Sequence, residues 1–193
     1  QVENFQKKLW LKKKFVTSTN YMITLDRIPE KYFEEIGANE AQFTEWKALF
    51  GVKVEAVNLK EHPYIVLDTK FFSEEFKDRL IAEFDDLDAE TDGLLLNSEN
   101  FQALNMLQEK YKEQVDVCYF DPPYNTNATP ILYKNDYRES TWLSLINDRL
   151  ILAKKLLNEI DGAFSVAIDD GEIDVLTRLL KATLFDFDIH KVI

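Results

Sequence analysis

The stretch Val115 to Thr126, VDVCYFDPPYNT, joins an apolar run to a rigid turn. Val115, Val117, Cys118, Tyr119 and Phe120 form a β-branched and aromatic segment of strand length. Asp121, Pro122 and Pro123 end it, because neither proline carries an N–H that could continue a ladder. Outward from this stretch, strands alternate with helices from Gly93 onward. The order is strand GLLLN, helix Ser98 to about Lys112, strand VDVCYF, an irregular loop, helix Ser140 to Asn158, strand AFSVAI, helix about Glu172 to Leu184, and strand IHKVI. Near-continuous apolar strands with helical crossovers predict an α/β fold, a doubly wound and mostly parallel sheet covered on both faces. Ligands of such sheets sit at the carboxyl ends of the strands, which marks Asn97 to Asn100, Asp121 to Thr126 and Asp169 to Glu172.

Residues 1 to about 90 read as a smaller, mixed α+β region. A Lys-rich helix, a strand at Tyr21 to Ile28, helices in PEKYFEEIG and EAQFTEWKALFG, and a short strand PYIVLD are predicted there. Ser73 is placed to N-cap the helix SEEFKDRLIAEF, whose Phe76, Leu80, Ile81 and Phe84 share one face. Asp85, Asp86, Asp88, Glu90 and Asp92 then read as a solvated connection. The boundary falls there, giving domains 1–90 and 91–193.

Composition narrows the function. At 193 residues, with 46% hydrophobic and 13% aromatic residues, the chain can bury one sizeable core and a small second one. No apolar run has the length of a membrane span, and the first residues lack a signal peptide's apolar centre, so a cytoplasmic location is expected. Cys118 is the single cysteine, and His62 and His190 stand alone, so no structural metal is expected. A net charge of −12 argues against strong nucleic-acid binding by this polypeptide alone. The chain begins at Gln1 and stops in the apolar stretch FDIHKVI, so a fragment is expected.

The DPPY corner has a specific chemistry. With no N–H on Pro122 or Pro123, nearby carbonyls are free to accept hydrogen bonds, and the Asp121 carboxylate adds another acceptor. Tyr124 places a flat aromatic face beside them. The combination suits a planar ligand bearing an NH₂ group. The exocyclic amine of a nucleobase is a poor nucleophile, and two acceptors holding its hydrogens favour a pyramidal nitrogen as positive charge develops. The base must leave the duplex to reach them, and the tyrosine gives it a stacking partner. The alternative is a strand followed by a Pro-Pro turn, with Tyr124 packed inward; position at a strand's carboxyl end favours a site.

DPPYNT after an apolar strand resembles the catalytic motif of amino-group DNA methyltransferases that use S-adenosylmethionine. An aspartate at the first position is typical of adenine-N6 enzymes, and a serine of cytosine-N4 enzymes. The likeness extends through LLLNSENFQALNML, the YKNDY loop, STWLSLINDRLILAKKLL and DGAFSVAIDDGE, and upstream to ITLDRIPEKYFEEI and FDDLDAETDGLL. These blocks resemble the modification subunits of type III restriction-modification systems. The resemblance implies a Rossmann-like fold and a site in which Asp121 and the Pro122 carbonyl hold the target amine. Pro123 would keep the corner rigid and Tyr124 would stack on the flipped adenine. Ser98, Glu99, Asn100 and Asp121 would border the cofactor. Double-stranded DNA, a homodimer and a separate restriction subunit are the implied partners.

Two departures qualify this. The family often has glycine after Asn-Thr, where this chain has Asn127-Ala128. It also binds the cofactor with an FxGxG loop, yet Gly37, Gly51, Gly93, Gly162 and Gly171 form no GxG. The permuted order, catalytic motif first, places that loop and the target-recognition segment beyond Ile193, so the chain alone is expected neither to methylate DNA nor to bind the cofactor tightly. Cytosine-N4 methylation and a noncatalytic methyltransferase-like remnant are the alternatives.

Other features have ordinary readings beside functional ones. KKLWLKKK could contact phosphate with Trp10 stacking on a base, but reads better as a solvated helix face. Asp169, Asp170 and Glu172 are read as a solvated loop rather than a Mg²⁺ site, Cys118 as a small core hydrophobe, and His190 as structural. Trp142 is expected to pack its helix against the active-site loop.

Overall fold

The computed structural model describes residues 16–51, 56–124, 138–184 and 186–190, in two units, Gln1–Leu95 and Leu96–Ile193. In the first unit β1 (Met22–Thr24) lies antiparallel to β2 (Val66–Asp68), with Ile23 opposite Leu67 and both turned into the core. The strand expected to run to Ile28 stops at Thr24. Leu25 and Asp26 instead donate to the carbonyls of Ile65 and Pro63, and Leu25–Arg27 closes into a 3-10 turn. A ladder persists only where a partner runs alongside, and the chain opposite, just before Val66, is a turn in which the Ile65 N–H donates to the His62 carbonyl at 3.1 Å.

The helices of this unit follow their sequence signals. α1 (Phe33–Gly37) is followed by α2 (Glu40–Phe50), whose N-cap Asn39 accepts from the Gln42 N–H at 3.0 Å. α2 ends at Gly51, whose φ of 61° places it in the left-handed region. α3 (Glu74–Ile81) starts at Ser73, whose hydroxyl accepts from the Phe76 N–H at 3.2 Å. Phe76 and Leu80 of α3 are fully buried, and Ile81 and Phe84 pack against the same core. The fully buried Trp46 of α2 donates its indole N–H to the Val66 carbonyl at 2.6 Å, tying helix to strand. The acidic connection is not merely solvated: Arg27 pairs with Glu90 and Asp92 and draws that segment back onto the unit.

GLLLN, expected to be the first strand of the sheet, has no regular structure, and Leu94 and Leu95 are 57% and 84% exposed. Apolar character alone does not make a strand, because its N–H and C=O groups need a neighbour, and among the described residues none pairs with this segment.

The second unit begins with α4 (Asn100–Tyr111) and is built around β3 (Val117–Phe120), α5 (Arg138–Lys154), β4 (Ala163–Val166) and α6 (Ile173–Thr183). β3 and β4 are parallel, in register from Val117 opposite Ala163 to Phe120 opposite Val166. On α5, Trp142, Ile146 and Leu150 recur every four residues, so they line one side of the helix and are fully buried with Leu176 of α6. This layer packs on Phe120, Phe164 and Val166. Burying each such side chain contributes about 1.5–3 kcal/mol.

Burial alternates along β3 and β4, and Val117 and Tyr119 on the other face are 65% and 68% exposed. The molecule is thus mixed α/β, and among the described residues its parallel sheet has two strands and one covered face rather than the wide sheet covered on both. IHKVI forms no strand through His190, and 191–193 lie outside the described residues. α5 stops at Lys154, short of Asn158, because Leu156 and Asn158 leave the helix to bond the backbone at Val115. The Lys-rich segment 1–15, Asn125, Thr126 and the YKNDY loop also lie outside the described residues. Among the described residues no helix is long and apolar enough to cross a membrane.

Candidate active site

The corner sits where the parallel ladder ends. Its last bond runs from the Ala167 N–H to the Phe120 carbonyl at 3.0 Å. Beyond it the alternation of strand faces continues for two residues. Pro122 falls on the covered side and is buried, while Asp121 falls on the open side and is exposed. Tyr124 is 38% exposed. Its hydroxyl faces the Asp121 carboxylate, whose hydrogen bonding and negative charge push the phenol up from its ordinary pKa.

The fully buried Trp142 of α5 donates its indole N–H to the Pro123 carbonyl at 2.7 Å. The packing of Trp142 against the site is thus a directed hydrogen bond as well as an apolar contact. Two carbonyls of the segment are therefore engaged, that of Phe120 by Ala167 and that of Pro123 by Trp142. Among the described residues no N–H is directed at the Pro122 carbonyl between them. The result is an exposed carboxylate, a carbonyl that no described residue engages and an aromatic ring within four consecutive residues.

Ser98, Glu99 and Asn100 are exposed at the start of α4. The Ser98 hydroxyl donates to the Glu99 carbonyl at 3.2 Å. Glu99 is the N-cap of α4, its carboxylate accepting from the Gln102 N–H at 3.2 Å and pairing with Arg149 of α5. Partial burial pushes this carboxyl up, but the N–H groups of Phe101 and Gln102 together with Arg149 outweigh it and hold it below the ordinary glutamate value. Among the described residues no hydrogen bond or ion pair joins these three residues to the DPPY corner. Arg149 is the residue the sequence reading missed. Its signal was a lone arginine inside the apolar run RLILA, and its side chain is only 16% exposed.

The Asp169 side chain accepts from the Gly171 N–H at 3.0 Å, a local turn bond. Among the described residues no group of three His, Cys, Asp or Glu side chains is arranged to hold a metal ion. Burial pushes the Cys118 thiol up from its ordinary value, which disfavours the thiolate a nucleophile requires.

No family model matches the chain. It is similar to the HindVI Mod subunit of Haemophilus influenzae, described as a probable type III restriction-modification enzyme, at 37% identity over 50% of this chain and 13% of that protein. It is also similar to the StyLTI Mod subunit of Salmonella typhimurium, another type III enzyme, at 31% identity over 41% of this chain and 16% of the relative. The type II methyltransferase M.KpnI of Klebsiella pneumoniae is 32% identical over 47% of this chain and 23% of its own length. The chain resembles type III modification subunits and spans a minor part of their length.

Proposed function

We propose that this chain is part of a site-specific adenine-N6 DNA methyltransferase, the modification subunit of a type III restriction-modification system. The observation that carries this reading is the DPPY corner at the carboxyl end of β3, with Asp121 exposed and, among the described residues, no N–H directed at the Pro122 carbonyl. The similarity to Mod subunits and to a type II methyltransferase supports it. Residues 1–90 are a mixed α/β extension, and 91–193 the first part of a Rossmann-like catalytic domain in the permuted order.

The donor set suits S-adenosylmethionine. Asp121 is an exposed carboxylate with which, among the described residues, no Lys or Arg pairs, and an anionic group without a basic partner favours a sulfonium cation nearby. Asp121, with Ser98, Glu99 and Asn100, would border it; the Glu99 carboxylate, already engaged by Arg149 and Gln102, would do so without moving. When bound, S-adenosylmethionine supplies an electrophilic methyl group.

The chain's own residues prepare the nitrogen. An Asp121 carboxylate oxygen and the Pro122 carbonyl oxygen each accept one hydrogen of the adenine amine, drawing its lone pair out of conjugation and stabilising the charge that develops. Proline at both positions keeps these acceptors in place without reorganisation. Tyr124 stacks on the extruded base, a contact worth about 1–3 kcal/mol. Double-stranded DNA is the substrate, a homodimer and a restriction subunit the partners, and the cytoplasm the location.

The test supplies the complete gene product carrying this sequence, intact and as Asp121→Ala, with labelled S-adenosylmethionine and mixed-sequence DNA, then identifies the labelled nucleoside. Label on adenine N6 that vanishes in the variant is the expected result. Label on cytosine would replace the adenine assignment with cytosine-N4 chemistry, and no label from folded protein would favour a noncatalytic remnant. The 193-residue chain alone is expected to give none.

A further inference from the structure

We propose that Trp142 is a positioning residue that sets the DPPY corner through its indole N–H, an inference that rests on the methyltransferase reading above. A Pro-Pro segment cannot brace itself. Neither Pro122 nor Pro123 has an N–H, so no backbone bond donated from within the pair can hold the turn. Its orientation has to come from donors on other elements.

Among the described residues two such donors stand out, one on each side. Before the prolines, the Ala167 N–H on the adjacent strand holds the Phe120 carbonyl at 3.0 Å. After them, the Trp142 Nε1–H on α5 holds the Pro123 carbonyl at 2.7 Å. Between these two clamps lie the Asp121 side chain and the Pro122 carbonyl, the pair that would accept the amine hydrogens. Fixing the Pro123 carbonyl fixes that residue's ψ, and with it the direction in which Tyr124 leaves the corner. The clamp also engages the Pro123 carbonyl, which then does not compete for the amine.

Burial makes the clamp stiff. Trp142 is 0% exposed and shares its layer with Ile146, Leu150 and Leu176, so the indole has no room to change rotamer. A buried N–H without an acceptor is costly, which ties the position of the helix to that of the corner. The apolar face of the ring serves the core, whereas the N–H serves the site, and the two roles are separable by chemistry.

Replacing Trp142 with benzothienylalanine, in which sulfur stands for the N–H at nearly unchanged shape, removes the donor alone; Trp142→Phe is the second variant. Each is made in the complete gene product, and kcat is expressed per cofactor-competent site. A lost clamp lowers kcat by about tenfold to a hundredfold, the scale for a small misplacement of reacting groups, with KM for the cofactor within about twofold. The fluorine resonance of a fluorotyrosine placed at 124 shifts when the donor is removed, whatever reaction the protein performs. Retained kcat with an unmoved resonance overturns the inference, as does a loss of activity explained wholly by fewer competent sites. Intact protein that labels no adenine would refute the function proposed above, while the fluorine signal would still decide the clamp.

Discussion

Tyr124 carries two separable properties, a ring face and a hydroxyl directed at Asp121. If stacking is its contribution, Tyr124→Phe keeps most of the rate, whereas Tyr124→Ala loses about tenfold to a hundredfold through weaker capture of the extruded base. Steady-state kinetics on duplex DNA, with 2-aminopurine at the target position to report extrusion, would separate the two. Equal losses in both variants would assign the role to the hydroxyl. Asp121, Pro122, Pro123 and Tyr124 were legible in the sequence because the motif is contiguous and its chemistry follows from residue type. The bond from Trp142 to Pro123 was not, because a donor nineteen residues away is brought near only by the packing of α5 on the sheet.

Among the elements, helix starts were the most readable feature. Ser73 caps α3 in the expected way, since a short polar side chain satisfies an N–H that the helix leaves free. Ser73→Ala is expected to cost about 1 kcal/mol. Gly162 makes a contrasting case in the turn between α5 and β4. A Cβ there would lie 2.3 Å from the Asn158 backbone carbonyl oxygen, so Gly162→Ala must displace backbone and is expected to cost about 1–3 kcal/mol. Urea unfolding of both variants would show whether the larger loss falls at Gly162; an equal or smaller loss there would mean the turn relaxes freely. Strand extents were less legible than helix starts. GLLLN is as apolar as β3, yet β3 has β4 beside it and GLLLN has no partner among the described residues.

For the whole molecule, charge predicts a pH response. Lys31 and Tyr32 hold Glu83 below the ordinary carboxylate range, Lys154 does the same for Asp186, and Arg149 helps to do so for Glu99. A carboxyl whose folded pKa is depressed adds stability above its unfolded value and loses it as pH falls through the folded one. Stability should therefore decline as pH falls through the ordinary carboxylate range, about 4, and on through the depressed folded values. Urea midpoints at about pH 6 and pH 3 should lie closer together in Arg149→Leu than in the unaltered chain, because the Glu99 contribution is then reduced at the higher pH. An unchanged gap would mean that the helix N–H groups alone depress Glu99. The sequence by itself determined where most described helices lie, the Ser73 cap, the strand character of VDVCYF and AFSVAI, and the residue types of the candidate corner. These depend on local periodicity, on missing N–H groups and on side-chain chemistry. Tertiary structure alone decided that GLLLN stayed irregular and that β1 stops at Thr24, that the acidic connection folds back to Arg27, that Arg149 engages Glu99, and that Trp142 donates to Pro123. Each of these needs a partner distant along the chain, and packing rather than local pattern selects that partner.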